Sequence, residues 1–149
     1  MPLRRSARLL ALALALAVAA PALEAQRTVT SITRDDLITY VKDEGFGSIE
    51  TRNATSFLTR MEGYKVAFFV LSDGESVQAY FGRSGTEARL ASINAWNKSK
   101  RYSRAYLDDD GDPVLELDLD LAGGVTPDRI RDFIRTVKLS VSKFSSEVK

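Results

Sequence analysis

The stretch VLELDLDL, residues 114–121, puts Leu115, Leu117, Leu119 and Leu121 on one side of an extended chain and Glu116, Asp118 and Asp120 on the other. Alternate strand residues point to opposite faces, so the pattern calls for a sheet with one buried face and one wet face. The leucines need a covering layer, and the chain supplies one directly downstream. Gly123-Gly124 breaks the strand, Thr126 is placed to cap a helix, Pro127 suits its first position, and Asp128 suits the positive end of its dipole. Ile130, Phe133, Ile134, Val137, Val141 and Phe144 then recur at helical spacing. Burying each is worth about 1.5–3 kcal/mol, enough for this helix to seal a core.

Upstream, Thr33 can cap a first helix carrying Leu37, Ile38 and Val41 on one face, ended by Gly45. The runs GSIETR, ATSFLTRM, YKVAFFVL and SVQAYFGR are rich in β-branched and aromatic residues and read as an antiparallel meander. Val66 to Leu71 is apolar without a break, which predicts a strand covered on both faces, central or at an interface. Ser84-Gly-Thr-Glu87 has the form of a capping box opening a second helix, with Leu90, Ile93 and Asn97 on one face. Tyr102 to Leu107 and the alternating run are the last two strands, joined by a turn at Asp108 to Asp112. The expected fold is α+β, an antiparallel sheet of five to six strands with helices packed on it, in the order α-β-β-β-β-α-β-β-α.

Arg4, Arg5 and Arg8 precede the apolar run Leu9 to Ala20, then Pro21 and small residues. That order is expected of a secretory signal peptide. Twelve apolar residues fall short of the roughly 20 needed to span a bilayer, so the expectation is a cleaved signal over residues 1–25, a single domain over 26–149, and no stable membrane anchor. Cleavage is expected after Ala25, with Ala22 as the alternative, and the destination is the periplasm or the medium. Removing residues 1–25 takes away three arginines and Glu24, moving the formal charge from +1 to −1. A near-neutral exported domain is a poor nucleic-acid binder.

The chain has no cysteine and no histidine. Disulfides, thiol nucleophiles, the usual neutral-pH general base, Ser-His chemistry and His-ligated metals are all excluded. Carboxylate pairs and Ser-Lys dyads remain chemically open, but no spacing singles one out, so no catalytic residue, metal ligand or cofactor is assigned. The aspartates of DDDGD invite a calcium reading, yet with Gly111 at the sixth position of an EF-hand loop, Tyr106 falls at the first and Leu117 where a bidentate Glu belongs. A tight turn at Asp110-Gly111 accounts for the same residues. Glu116, Asp118 and Asp120 are expected to be solvated or paired with Lys98, Lys100, Arg101 or Arg104.

The segment Asn94 to Arg101 offers a candidate ligand site. Asn94 and Asn97 stand one helical turn apart around Trp96, with Arg101 beyond, and their amides could hold a sugar or a peptide backbone. The competing reading makes Asn97 a helix terminator and Asn94 a partner for loop carbonyls. A candidate partner interface rests on surplus apolar residues: Phe68 and Phe69 in the unbroken run, and Leu139, off the stripe of the closing helix.

Residues 93–125, INAWNKSKRYSRAYLDDDGDPVLELDLDLAGGV, resemble the signature region of the bacterial YbjN-type family. The Ile-Asn-x-Trp-Asn helix end falls on Ile93 to Asn97, the Arg-aromatic strand on Arg101 to Leu107, and the Asp-Gly turn on Asp110-Gly111. The leucine strand, Gly-Gly and the closing helix follow in order. The resemblance implies a fold like that of the type III secretion chaperones and carries a label of sensory-transduction regulation, with no catalytic residue or cofactor to transfer. Secretion chaperones are usually acidic and cytosolic, whereas this chain has the features of an exported, near-neutral one. The functional expectation is therefore a non-enzymatic, chaperone-like or regulatory module that binds a protein partner or a second copy of itself. The alternative is a small-ligand module around the Asn-x-Trp-Asn helix end.

Overall fold

The computed structural model describes residues 28–149; the expected signal peptide lies outside the described residues. The elements run α1 (Arg34–Asp43), β1 (Glu50–Thr51), β2 (Ser56–Met61), β3 (Tyr64–Leu71), β4 (Ser76–Gly82), α2 (Leu90–Ser99), β5 (Arg104–Leu107), β6 (Pro113–Asp120) and α3 (Pro127–Glu147), with one turn of 3-10 helix at Ser72–Gly74. This is the expected α+β order. The six strands form one antiparallel sheet in the spatial order β1-β2-β3-β4-β6-β5. The first four strands are a meander, after which the chain crosses through α2 and enters β6 between β4 and β5.

Register divides the sheet into two faces. Phe57, Phe68, Ala79 and Leu117 lie side by side across β2, β3, β4 and β6, and so do Val70, Val77 and Leu119. These residues are buried beneath the helices. The closing helix lays down Ile130, Phe133, Ile134, Val137, Val141 and Phe144, all buried, as its spacing predicts. Phe144 stands edge-on to both Trp96 of α2 and Phe81 of β4, with ring centroids 5.1 and 6.2 Å apart, so one side chain ties both helices to the sheet. Beside α3, on the same face of the sheet, α1 buries Leu37, Ile38 and Val41.

Local signals act where the chain turns. Thr33 and Asp36 form a reciprocal capping box at the start of α1, and those bonds hold the Asp36 carboxyl below its ordinary pKa. Glu62 and Gly63 both have positive φ, 52° and 84°, as a tight β2–β3 hairpin requires. Gly74 has φ 96°, its carbonyl accepts from Ile32 at 2.9 Å, and an added Cβ would lie 2.7 Å from the Ile32 carbonyl oxygen.

Two expectations need correction. The capping box at Ser84-Gly-Thr-Glu87 does not open α2, which begins at Leu90 after Arg89, a residue without a side-chain cap. Those residues form a turn because the Asp112 carboxylate takes the Gly85 and Thr86 amides, at 2.9 and 3.0 Å. A tertiary acceptor outbids the local one. Nor is β3 covered by helices on both faces: Val66, Phe68 and Val70 face the core, while Ala67 and Phe69 are half-buried and Leu71 is 41% exposed on the other side.

Thr59 turns toward the core from β2, and its hydroxyl is buried without a hydrogen-bond partner. Thr59→Val should raise unfolding stability by ~1 kcal/mol, since it deletes an unpaired buried polar group and keeps the branched shape. Gly74→Ala should lower it by about 2 kcal/mol through strain at positive φ and the clash with Ile32. Urea denaturation of both variants checks the opposite signs.

Candidate functional site

The helices cover one face of the sheet, and the other carries the features that could contact a partner. On the open face, cross-strand registers place Leu58 beside Ala67, Ala67 beside Tyr80, and Phe69 beside Gln78. Leu58, Ala67, Phe69 and Tyr80 are half-buried, and with Leu71 they make a continuous apolar band. Arg60 and Lys65 face each other at one corner of this surface; Asp118 and Asp120 occupy the diagonally opposite corner.

Beside the band, Glu116 is the one buried carboxylate of the open face among the described residues. Its Oε2 accepts from Arg104 Nε at 2.6 Å, with Arg104 Nη2 on the same oxygen, and its Oε1 accepts from the Tyr106 hydroxyl at 2.9 Å. The pair costs little to bury because every oxygen of Glu116 has a donor. Partial burial, followed by donation to Glu116, pushes the Tyr106 phenol up to about 12. The Glu116 bond to Arg104 raises the guanidinium further. Arg104 and Tyr106 of β5 both bond to Glu116 of β6, so the cluster staples the two strands together.

Of the residues read as a ligand site from the sequence, Trp96 and Asn97 take structural tasks. Trp96 is 3% exposed; its indole N–H donates to Ser103 Oγ at 3.1 Å, and Lys100 Nζ sits 5.3 Å from the ring centroid. Asn97 donates to the Ala105 carbonyl and accepts from the Ala105 amide, both at 2.9 Å, which spends both ends of its side chain on clamping α2 to β5. Asn94 and Arg101 are exposed. Of the interface residues, Phe68 is wholly inside and stacks on Phe57 at 5.3 Å, so it contributes no outer surface. Phe69 lies in the open band, and Leu139 is 57% exposed on α3.

A cavity of about 400 Å³ opens where β5 stops short of β6, lined by Tyr102, Asp118, Arg129, Asp132, Phe133 and Thr136. Sequence reading missed this place because it joins residues from β6, α3 and the loop before β5. For the open face, by contrast, the legible hint was the run Val66 to Leu71, whose odd members lie on it. Among the described residues no group of three or more metal-ligating side chains converges, and no helix is long and apolar enough to cross a membrane.

Tyr106 makes stability depend on pH at the alkaline end. Its phenol titrates higher folded than unfolded, so its contribution to stability is complete below pH ~10 and is lost as pH rises toward about 12. Tyrosinate absorbance should show a late-titrating group that Glu116→Gln returns toward the ordinary value.

The fold has a solved counterpart. The crystal structure of YbjN from E. coli, described as "a putative transcription regulator", matches with a TM-score of 0.61 at 16% identity, covering 82% of this chain and 98% of that one. At that identity the likeness establishes the fold. No match is found among curated proteins. The model of the YbjN family, described as "Putative bacterial sensory transduction regulator", matches residues 33–149, from the capping threonine of α1 to the end of α3. The chain therefore belongs to the YbjN family.

Proposed function

We propose that this protein is an exported, non-enzymatic protein-binding module, regulatory in the sense of its family, and that it docks through the open face of the sheet. The observation that carries this reading is the apolar band on that face: Leu58, Ala67, Phe69, Leu71 and Tyr80 form a contiguous surface with no helix over it. Isolated exposed apolar residues are ordinary, whereas a contiguous patch of this kind marks a contact surface. Six strands spaced ~4.8 Å apart, and about 26 Å long at the eight-residue strands, give a face comparable with the ~800 Å² per partner buried in a standard stable interface.

Export is supported by the leader pattern of residues 1–25. A non-catalytic role is supported by the absence of histidine and cysteine and by the full pairing of the Glu116 cluster.

The occupant that fits best is a second copy of the chain. Opposite charges sit at diagonal corners, Arg60 and Lys65 against Asp118 and Asp120, so a two-fold axis lying between two stacked sheets can set each corner over its complement. Phe69→Glu, placed in the band and off the core, should leave the circular dichroism spectrum unchanged and convert a dimer to a monomer in sedimentation at micromolar concentration. A wild-type chain that stays monomeric there and cross-links to no envelope protein would contradict the reading.

A further inference from the structure

Strand β5 is too short for its neighbour. The β5–β6 ladder ends at the pair Arg104 and Glu116, while β6 runs on to Asp120. Tyr102 has φ 65°, which turns the incoming chain away from the sheet before it could pair with the remainder of β6. The far end of β6 is therefore an open edge.

Hydrogen bonding tells which groups that edge presents. The Leu121 amide donates to the Glu75 carbonyl at 2.8 Å, so the odd-numbered residues of β6 direct their N–H and C=O groups toward β4. In an antiparallel strand the direction alternates, which leaves the N–H and C=O of Asp118 and of Asp120 pointing outward. Among the described residues no backbone group pairs with them. The cavity of about 400 Å³ lies against this edge, floored on the core side by Phe133 and Thr136 of α3.

We propose that this edge and its cavity are a docking groove for a short extended peptide that adds a strand to β6 in the place β5 leaves vacant, and that the peptide carries Lys or Arg at alternate positions. Charge selects the occupant. Residues opposite Asp118 and Asp120 would place their side chains on the open face beside two carboxylates, where a cation is favoured. The residue between them points to the other face, over Phe133 and Thr136, where a β-branched apolar side chain fits the pleat. A second copy of the chain is the occupant the edge rejects, because joining two β6 edges would bring Asp118 and Asp120 against their own duplicates. Charged side chains on an open edge are a common device against self-pairing. The same carboxylates become attractive to a cationic strand, whose main chain supplies affinity and whose alternate side chains supply selectivity.

The groove shares Asp118 and Asp120 with the open-face contact, and the monomeric Phe69→Glu variant, whose open face is uncovered, tests it whether or not that contact exists. The test uses the full chain and its monomeric Phe69→Glu variant, titrated against fluorescein-labelled Thr-Lys-Val-Lys-Thr. The monomeric variant should bind the peptide, and binding should perturb its amide resonances of Asp118 and Asp120. N-methylation of the two lysines blocks the amides that would face β6, and should weaken binding at least tenfold, as should replacing both lysines by glutamate. N-methylation of the central valine, whose amide faces away, should be tolerated. The exposed double variant Asp118→Lys/Asp120→Lys should reverse the preference toward the glutamate peptide. No binding at millimolar peptide, indifference to lysine N-methylation, or unchanged charge preference in the double variant would each overturn the proposal.

Discussion

The contact between α3 and the leucine face of β6 is the constraint on which the rest of the molecule depends. β6 lies between β4 and β5, inside the sheet, and α3 is the longest helix among the described residues; its six buried residues cover the strand that joins the meander to the edge. Phe144 extends that contact to Trp96 and Phe81, so α2, α3 and β4 share one aromatic junction. Without it, the crossover through α2 would have no apolar surface to return to, and β5 would have no fixed place beside β6.

Three helices placed on one side leave the other side of a six-stranded sheet to other means. Its neutral centre is apolar, its corners carry opposite charge, and its one buried carboxylate is satisfied by Arg104 and Tyr106. An antiparallel sheet can face water on one side, but the band from Leu58 to Tyr80 is greasier than water alone requires. The asymmetry of the layers leaves the band on the face that no helix covers among the described residues.

The polar segment between α2 and β6 reads differently once folded. Asn97 clamps α2 to Ala105, Asp108 Oδ1 accepts the amides of Asp110 and Asp112 to shape the turn, and Asp112 holds the loop before α2 through Gly85 and Thr86. Trp96 is spent on the core and on Ser103. Trp96, Asn97, Asp108 and Asp112 thus hold α2, β5 and the adjoining turns in place. Their chemistry was legible in sequence; their partners were not, because Ala105, Ser103 and Gly85 become neighbours only after the crossover.

Sequence by itself determined the periodicities: period two in residues 114–121, 3.6 in residues 130–144, the cap at Thr33, and hence an α+β domain of the YbjN type. These survive translation because they depend on bonds and side chains close along the chain. The tertiary structure decided what depends on residues far apart, namely that Phe68 faces in and Phe69 out, that Asp112 takes over the Ser84 turn, and that β5 ends before β6 does. A one-residue step along a strand exchanges faces, and a short neighbour frees an edge. Both follow from register between strands, which no local pattern encodes.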